Sequence, residues 1–192
     1  MTILNRPMNK SLDTRVSIFL TVDQYTIYNY FNSHDPAPLY KRQLGHEFQQ
    51  YIANSVEDAK RYSVIRYKVI YANESDKRFA EPLITAIRRH YAIKKTLKEA
   101  EFKKFKRQNF TLLVISLSVV MFCQGVLPSL LNEQHRLHTA FSNALDVFSW
   151  VILWKPIDKL IFHWNPYLKE INLLDKLINA EALTIDKHKE KV

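Results

Sequence analysis

Residues 110–131 read FTLLVISLSVVMFCQGVLPSLL, 22 consecutive residues without a charged side chain in a protein whose composition is 24% charged. As an α-helix at 1.5 Å per residue the stretch covers roughly 33 Å, slightly more than a hydrocarbon core of about 30 Å. A buried helix of a soluble domain usually keeps a polar stripe, whereas Ser116, Ser118 and Gln124 are isolated and uncharged. The stretch therefore reads as a membrane-spanning helix.

The surrounding charge sets it apart further. Twenty-eight Lys and Arg oppose 19 Asp and Glu, a formal charge of +9. Residues 1–108 hold 20 basic and 11 acidic side chains, residues 109–154 hold 1 and 2, and residues 155–192 hold 7 and 6. The whole excess lies before the apolar stretch. Two glycines cannot build a phosphate or dinucleotide loop, and the single Cys123 can form neither an internal disulfide nor a thiolate zinc site. Inside an apolar run, Cys123 is most simply a small apolar residue.

A second apolar segment, Leu137 to Trp154 (LHTAFSNALDVFSWVILW), is 18 residues long with Asp146 near its middle. A central acid costs about 2.5–3.5 kcal/mol on insertion, which the apolar run from Val147 to Trp154 can offset. The short connection Asn132 to Arg136 makes the two segments an antiparallel hairpin. Lys94, Lys95, Lys98, Lys103, Lys104, Lys106 and Arg107 precede it and Lys155, Lys159 and Lys169 follow it, while the loop offers Arg136 alone. Positive flanks stay inside, so both termini are expected in the cytoplasm of a multi-pass plasma (inner) membrane protein. The N-terminus, MTILNRPMNKSLDTR, lacks the apolar core and cleavage pattern of a signal peptide, which leaves the first span as the insertion signal.

Before the hairpin, residues 15–108 read as a cytoplasmic α/β domain after a flexible N-terminus of residues 1–14. Arg15 to Val22 alternates, with Val16, Ile18, Leu20 and Val22 on one face; Ser63 to Tyr71 does the same with Ile65, Tyr67, Val69 and Tyr71. Between them lie the aromatic Tyr25 to Phe31, a proline-punctuated turn at His34 to Pro38, and a helix predicted from about Lys41 to Asp58. Strand, helix, strand makes a crossover if the strands are parallel. A third element, capped near Ser75 or Asp76, carries Phe79, Leu83, Ile87 and Tyr91, and nothing breaks it before the membrane. As one helix from Phe79 to Leu131 it would be about 80 Å long. Residues 155–192 follow the hairpin: Pro156 ends or kinks the second span, Ile157 to Ile178 forms an amphipathic helix, and Ala182 to His188 supplies a short strand returning to the sheet. The expected fold is thus a sheet of two or three strands packed by helices, a long helix entering the first span, and a two-helix hairpin over 110–131 and 137–154.

The segment DPAPLYKRQL (Asp35 to Leu44), the RRHY stretch at Arg88 to Tyr91, the pattern Trp150, Trp154, Pro156 and the trailing HWNP at His163 to Pro166 resemble a family of small uncharacterised prokaryotic membrane proteins. The resemblance covers roughly Val16 to Ile185. It implies an N-terminal cytoplasmic α/β domain, a two-helix hairpin and a C-terminal tail. Its motifs are proline and tryptophan punctuation with no catalytic signature, so it implies topology and no activity.

Candidate chemistry is sparse. His46-Glu47 would suit a zinc protease helix, but the second histidine belongs where Gln50 stands. His135 and His138 share a helical spacing in the outer loop and read as solvated side chains rather than metal ligands. Asp35 before Pro36 is turn chemistry, its carboxylate accepting local backbone hydrogens, with Arg42 as a salt-bridge partner. Asp146 should face protein or water; its depth opposite Ser116 to Val120 nominates Ser118 as hydrogen-bond donor. Lys103, Lys104, Lys106 and Arg107, with Lys155 and the interfacial Trp164, are assigned to anionic lipid headgroups, each nearby cation contributing about 1 kcal/mol. Phe102 and Phe105 among cations also suit nucleic acid, but their place beside the span favours lipid.

These features leave three classes of function. The preferred one is a non-enzymatic membrane protein anchoring a cytoplasmic protein-interaction or regulatory domain, with a protein partner or a homo-oligomer and no cofactor or metal. The others are an oligomeric small channel or pore-forming effector, and a membrane-associated enzyme, the last disfavoured because no nucleophile, metal or phosphate motif survives inspection.

Overall fold

The structure, a computed structural model, describes residues 15–57, 59, 62–126 and 137–187, with side chains of the last segment from residue 143 onward. The N-terminal residues 1–14, residues 127–131 at the end of the expected first span, the connection at Asn132 to Arg136, the His135 and His138 side chains, and His188 at the end of the expected last strand lie outside it. The chain divides into two compact units, Met1–Lys95 with Asn172–Val192, and Thr96–Ile171.

In the first unit the two alternating runs form strands β1 (Arg15–Val22) and β2 (Val64–Tyr71). They pair in parallel with Ile18 opposite Tyr67, so Ile18, Leu20 and Val22 share a buried face with Ile65, Tyr67, Val69 and Tyr71. Strand β3 (Glu181–Asp186) pairs in parallel with β2 on its other side, giving the order β1-β2-β3. The tail expected to return to the sheet does so, over Glu181–Asp186 rather than Ala182 to His188. On the outer face Phe19 is 48% exposed, with the Lys68 ammonium 5.0 Å above its ring. There Arg66 meets Glu181 across β2 and β3 at 2.9 Å, a charge contact without an aligned N–H.

Helix α1 (His46–Ser55) starts five residues later than its periodicity predicts. Leu44 has the right spacing to Phe48, but it is held extended in an antiparallel bridge with Phe31. Asn32 N–H donates to Gln43 O at 2.8 Å and Gly45 N–H to Tyr30 O at 2.9 Å. Those bonds commit residues 41–45 to a closed loop, and Gly45, extended at φ −61°, ψ 149°, admits the helix. Before this loop Asp23 accepts from the N–H groups of Tyr25 and Thr26 at 2.8 and 2.7 Å, starting a 3-10 turn at Thr26–Tyr30.

After β2 the chain takes a 3-10 stretch, Glu74–Phe79, before helix α2 (Ala80–Gly125) begins. Asp76 therefore does not cap α2; it is buried and accepts from the Asn73 amide at 3.2 Å. Pro82 falls in the first turn of α2, where its missing N–H is tolerated. Leu83, Ile84 and Ile87 of α2, with Phe48 and Ile52 of α1, pack on the inner sheet face in one core. Each such burial contributes roughly 1.5–3 kcal/mol. Tyr67 is fully buried in that core and donates its hydroxyl to Leu177 O at 3.0 Å, while burial pushes its phenol pKa up.

The second apolar segment is helical from Leu137 to Phe162 (α3), so Pro156 does not end it. The break comes instead at His163 and Trp164, and α4 (Asn165–Asn179) follows with Pro166 in its first turn. The amphipathic helix predicted over 157–178 is thereby split between the end of α3 and α4. In the first unit Leu174 and Leu177 of α4 enter the core, and Lys95 pairs with Asp175 at 2.7 Å. In the second, the Tyr167 ring lies 5.7 Å from Phe102 and 5.2 Å from Phe105, and Lys98 reaches Glu170 at 3.3 Å.

Candidate functional site

Among the described residues one helix is long and apolar enough to cross a membrane, and its apolar part is the 110–125 stretch of α2. Only 11% of its best 18-residue window is buried, whereas a core helix of a soluble protein is mostly buried. Phe110 is 62% and Met121 69% exposed, and Leu112, Val114, Ile115, Leu117 and Phe122 are exposed with them.

The hydroxyls of this stretch are satisfied within α2. The Thr111, Ser116 and Ser118 hydroxyls donate to the carbonyls four residues back, Arg107, Leu112 and Val114, at 2.9, 2.8 and 2.9 Å. Such back-bonding leaves an outer surface with few free donors, as a hydrocarbon environment demands. Just before it Lys103, Lys104, Lys106 and Arg107 are all exposed, and the Lys106 ammonium lies 4.7 Å from the Phe102 ring centre. Lys155 and Trp164, the other residues assigned to headgroups, are exposed as well.

Asp146 takes a different partner from the one its depth suggests. Gln124 Nε2 donates to Asp146 Oδ1 at 3.2 Å, while the Ser118 hydroxyl is committed to Val114 O. Gln124 is the longer reach, and as the sole amide in an apolar run it was the signal for this pairing.

The second candidate site lies in the first unit. Asp35 behaves as a turn acid: its two oxygens accept from Ala37 N–H at 2.9 Å and Gln43 N–H at 2.7 Å. Those two bonds, Gln43 first, hold its carboxyl below the usual range, and the nearby Arg42 and Arg89 charges add to the effect. Pro36 stands between, fixing φ where the chain turns. Arg42 does not close a direct ion pair with Asp35. Its Nε donates to Ala37 O at 3.0 Å, so it braces the same turn through the backbone. Arg89 of α2 donates Nη1 to Lys41 O at 3.4 Å, and His90, half-buried with its ring edge-on to Tyr91 at 5.2 Å, follows it. Burial, then Lys94, lowers the His90 pKa. Asp35, Lys41, Arg42, Gln43, Arg89 and His90 line a groove of about 340 Å³. Arg89 and His90 had no sequence signal as site residues, because the helix and the turn they join are distant in the chain.

No protein-family model, curated protein or solved structure matches the chain. Among the described residues no group of three or more His, Cys, Asp or Glu is placed to hold a metal.

Proposed function

We propose that this chain is an integral membrane protein that anchors a small α/β interaction domain at the plasma (inner) membrane. Residues 110–131 and 137–154 make an antiparallel hairpin, both termini are cytoplasmic, and Lys103, Lys104, Lys106, Arg107, Lys155 and Trp164 meet anionic headgroups. The observation that carries this reading is the exposed apolar surface of residues 110–125, whose hydroxyls are bonded back into the helix immediately after a run of exposed cations. Water disfavours so large an apolar surface, and lipid accepts it. The proline and tryptophan pattern that resembles small prokaryotic membrane proteins agrees with this topology. A protein partner is the expected ligand of the domain; its sheet offers the β3 side, because tyrosine hydroxyls occupy the outer edge of β1.

Alkaline extraction tests the first step and should leave the chain in the membrane pellet. In a Cys123→Ser background, Asn132→Cys should react with an impermeant maleimide in intact cells and Gln50→Cys only after lysis. Release into the alkaline supernatant, or the reverse labelling, overturns the reading.

The Gln124–Asp146 contact favours a second reading, an oligomer of hairpins forming a small pore, since both groups are exposed in the single chain. Cross-linked oligomers with a conductance lost in Asp146→Asn would support it over a simple anchor.

A further inference from the structure

We propose that the groove between the Asp35–Gln43 turn and α2 binds a phosphomonoester group, held by Arg42, Arg89 and Lys41. The site lies within the first unit and does not depend on the membrane reading. Its lining holds three permanent cations against one carboxylate, and that carboxylate already spends both oxygens on backbone N–H groups. The groove is therefore electropositive toward a newcomer.

Its donors are also fixed in advance. Arg42 Nε is anchored on Ala37 O and Arg89 Nη1 on Lys41 O, and among the described residues neither guanidinium pairs with a carboxylate. Each keeps further N–H donors in the planar fork that suits phosphate oxygens. The turn that presents Arg42 and Lys41 is itself held by Asp35 and by the Phe31–Leu44 bridge, so little order remains to be imposed on binding. A volume of about 340 Å³ falls at the small end of ligand pockets, room for a phosphate with a short apolar or polyol substituent against Ile93 and Ala86.

Two sources share this chemistry, a soluble phosphate metabolite and the headgroup of phosphatidic acid. The test uses the full-length protein in detergent micelles, titrated with inorganic phosphate and glycerol 3-phosphate by calorimetry, and in parallel floated with vesicles of phosphatidylcholine with or without phosphatidic acid. Saturable one-to-one binding of glycerol 3-phosphate at 150 mM salt (on the order of physiological ionic strength), weakened about tenfold or more in Arg89→Gln and in Arg42→Lys, supports the site with a soluble ligand. A response confined to phosphatidic acid vesicles and lost in the same variants supports it with a lipid ligand. Arg78→Gln, which removes a cation outside the groove, should change neither. Because Arg42 also braces the turn, Arg89→Gln is the deciding variant, with its melting temperature checked against the parent. No binding to either probe, or binding equal in Arg89→Gln and the parent, overturns the proposal.

Discussion

The Tyr30 hydroxyl and the Thr21 backbone close a two-way contact: the hydroxyl donates to Thr21 O at 2.7 Å and accepts from Thr21 N–H at 3.1 Å. Two residues earlier on β1, Phe19 O accepts from the Tyr51 hydroxyl at 2.9 Å. An open strand edge invites pairing with another chain, and these tyrosines occupy it with side chains instead. The Tyr30 ring is held for the task by Phe48, their ring centres 4.5 Å apart, and burial raises its phenol pKa. Tyr30→Phe should therefore lower stability by about 1–2 kcal/mol, the net of two hydrogen bonds, and increase self-association. Thermal melts with light scattering check both; Tyr28→Phe, on an exposed ring, should stay within about 0.5 kcal/mol of the parent.

The Asp35 turn carries a pH signature. Its folded pKa is lowered by the Gln43 and Ala37 N–H groups, so its contribution is present above the unfolded value near 3.9 and is lost as pH falls through the folded value. Asp23, lowered by Thr26 and Tyr25, has the same sign. Asp35→Asn should melt below the parent at pH 6, with the gap closing as pH falls below about 4. A gap that is constant across that range would mean the charge of Asp35 is not what holds the turn.

How far the sequence carried these conclusions depends on whether a feature is periodic. Strands β1 and β2 were legible because Ile18, Leu20 and Val22 and then Ile65, Tyr67, Val69 and Tyr71 alternate without interruption. Strand β3 was legible for the same reason, although its pairing partner was not. Leu44 misled the start of α1, because a residue in an extended bridge opposite Phe31 sits at the same spacing from Phe48 as a helical neighbour would. Pro156 misled the end of α3, since proline lowers helix propensity without forbidding a helix whose other residues favour it. The groove was illegible because Arg89 meets the Lys41 carbonyl across 48 residues, and no local pattern encodes such a contact.

The reassigned partner of Asp146 separates two single substitutions. Ser118→Ala removes a hydroxyl that, among the described residues, bonds only Val114 O, and it should leave the α2–α3 contact intact. Gln124→Leu removes the donor to Asp146 and should weaken it, with a Gln124–Asp146 coupling of about 0.6–1.7 kcal/mol in a double-mutant cycle. Unfolding in micelles of Gln124→Leu, Asp146→Leu and the double variant measures that coupling. A larger effect from Ser118→Ala would restore Ser118 as the partner.

The basic approach to the apolar stretch is not uniform, and this sharpens its expected role. Lys95 is paired with Asp175, and Lys98 with Glu101 and Glu170, so their charges are largely answered within the protein. Lys103, Lys104 and Arg107 have no carboxylate within ion-pair distance among the described residues, and Lys106 rests over Phe102. Charge that is already paired attracts an anionic surface weakly, so the orientation signal of the proposed topology should reside in the second group. Replacing Lys103, Lys104, Lys106 and Arg107 by Gln should remove about 4 kcal/mol of headgroup attraction and produce a mixed orientation, visible as partial maleimide labelling of Gln50→Cys in intact cells. The Lys95→Gln, Lys98→Gln pair should cost surface ion pairs and leave the labelling pattern as in the parent. If the two sets exchanged behaviour, pairing within the protein would not be what divides these cations.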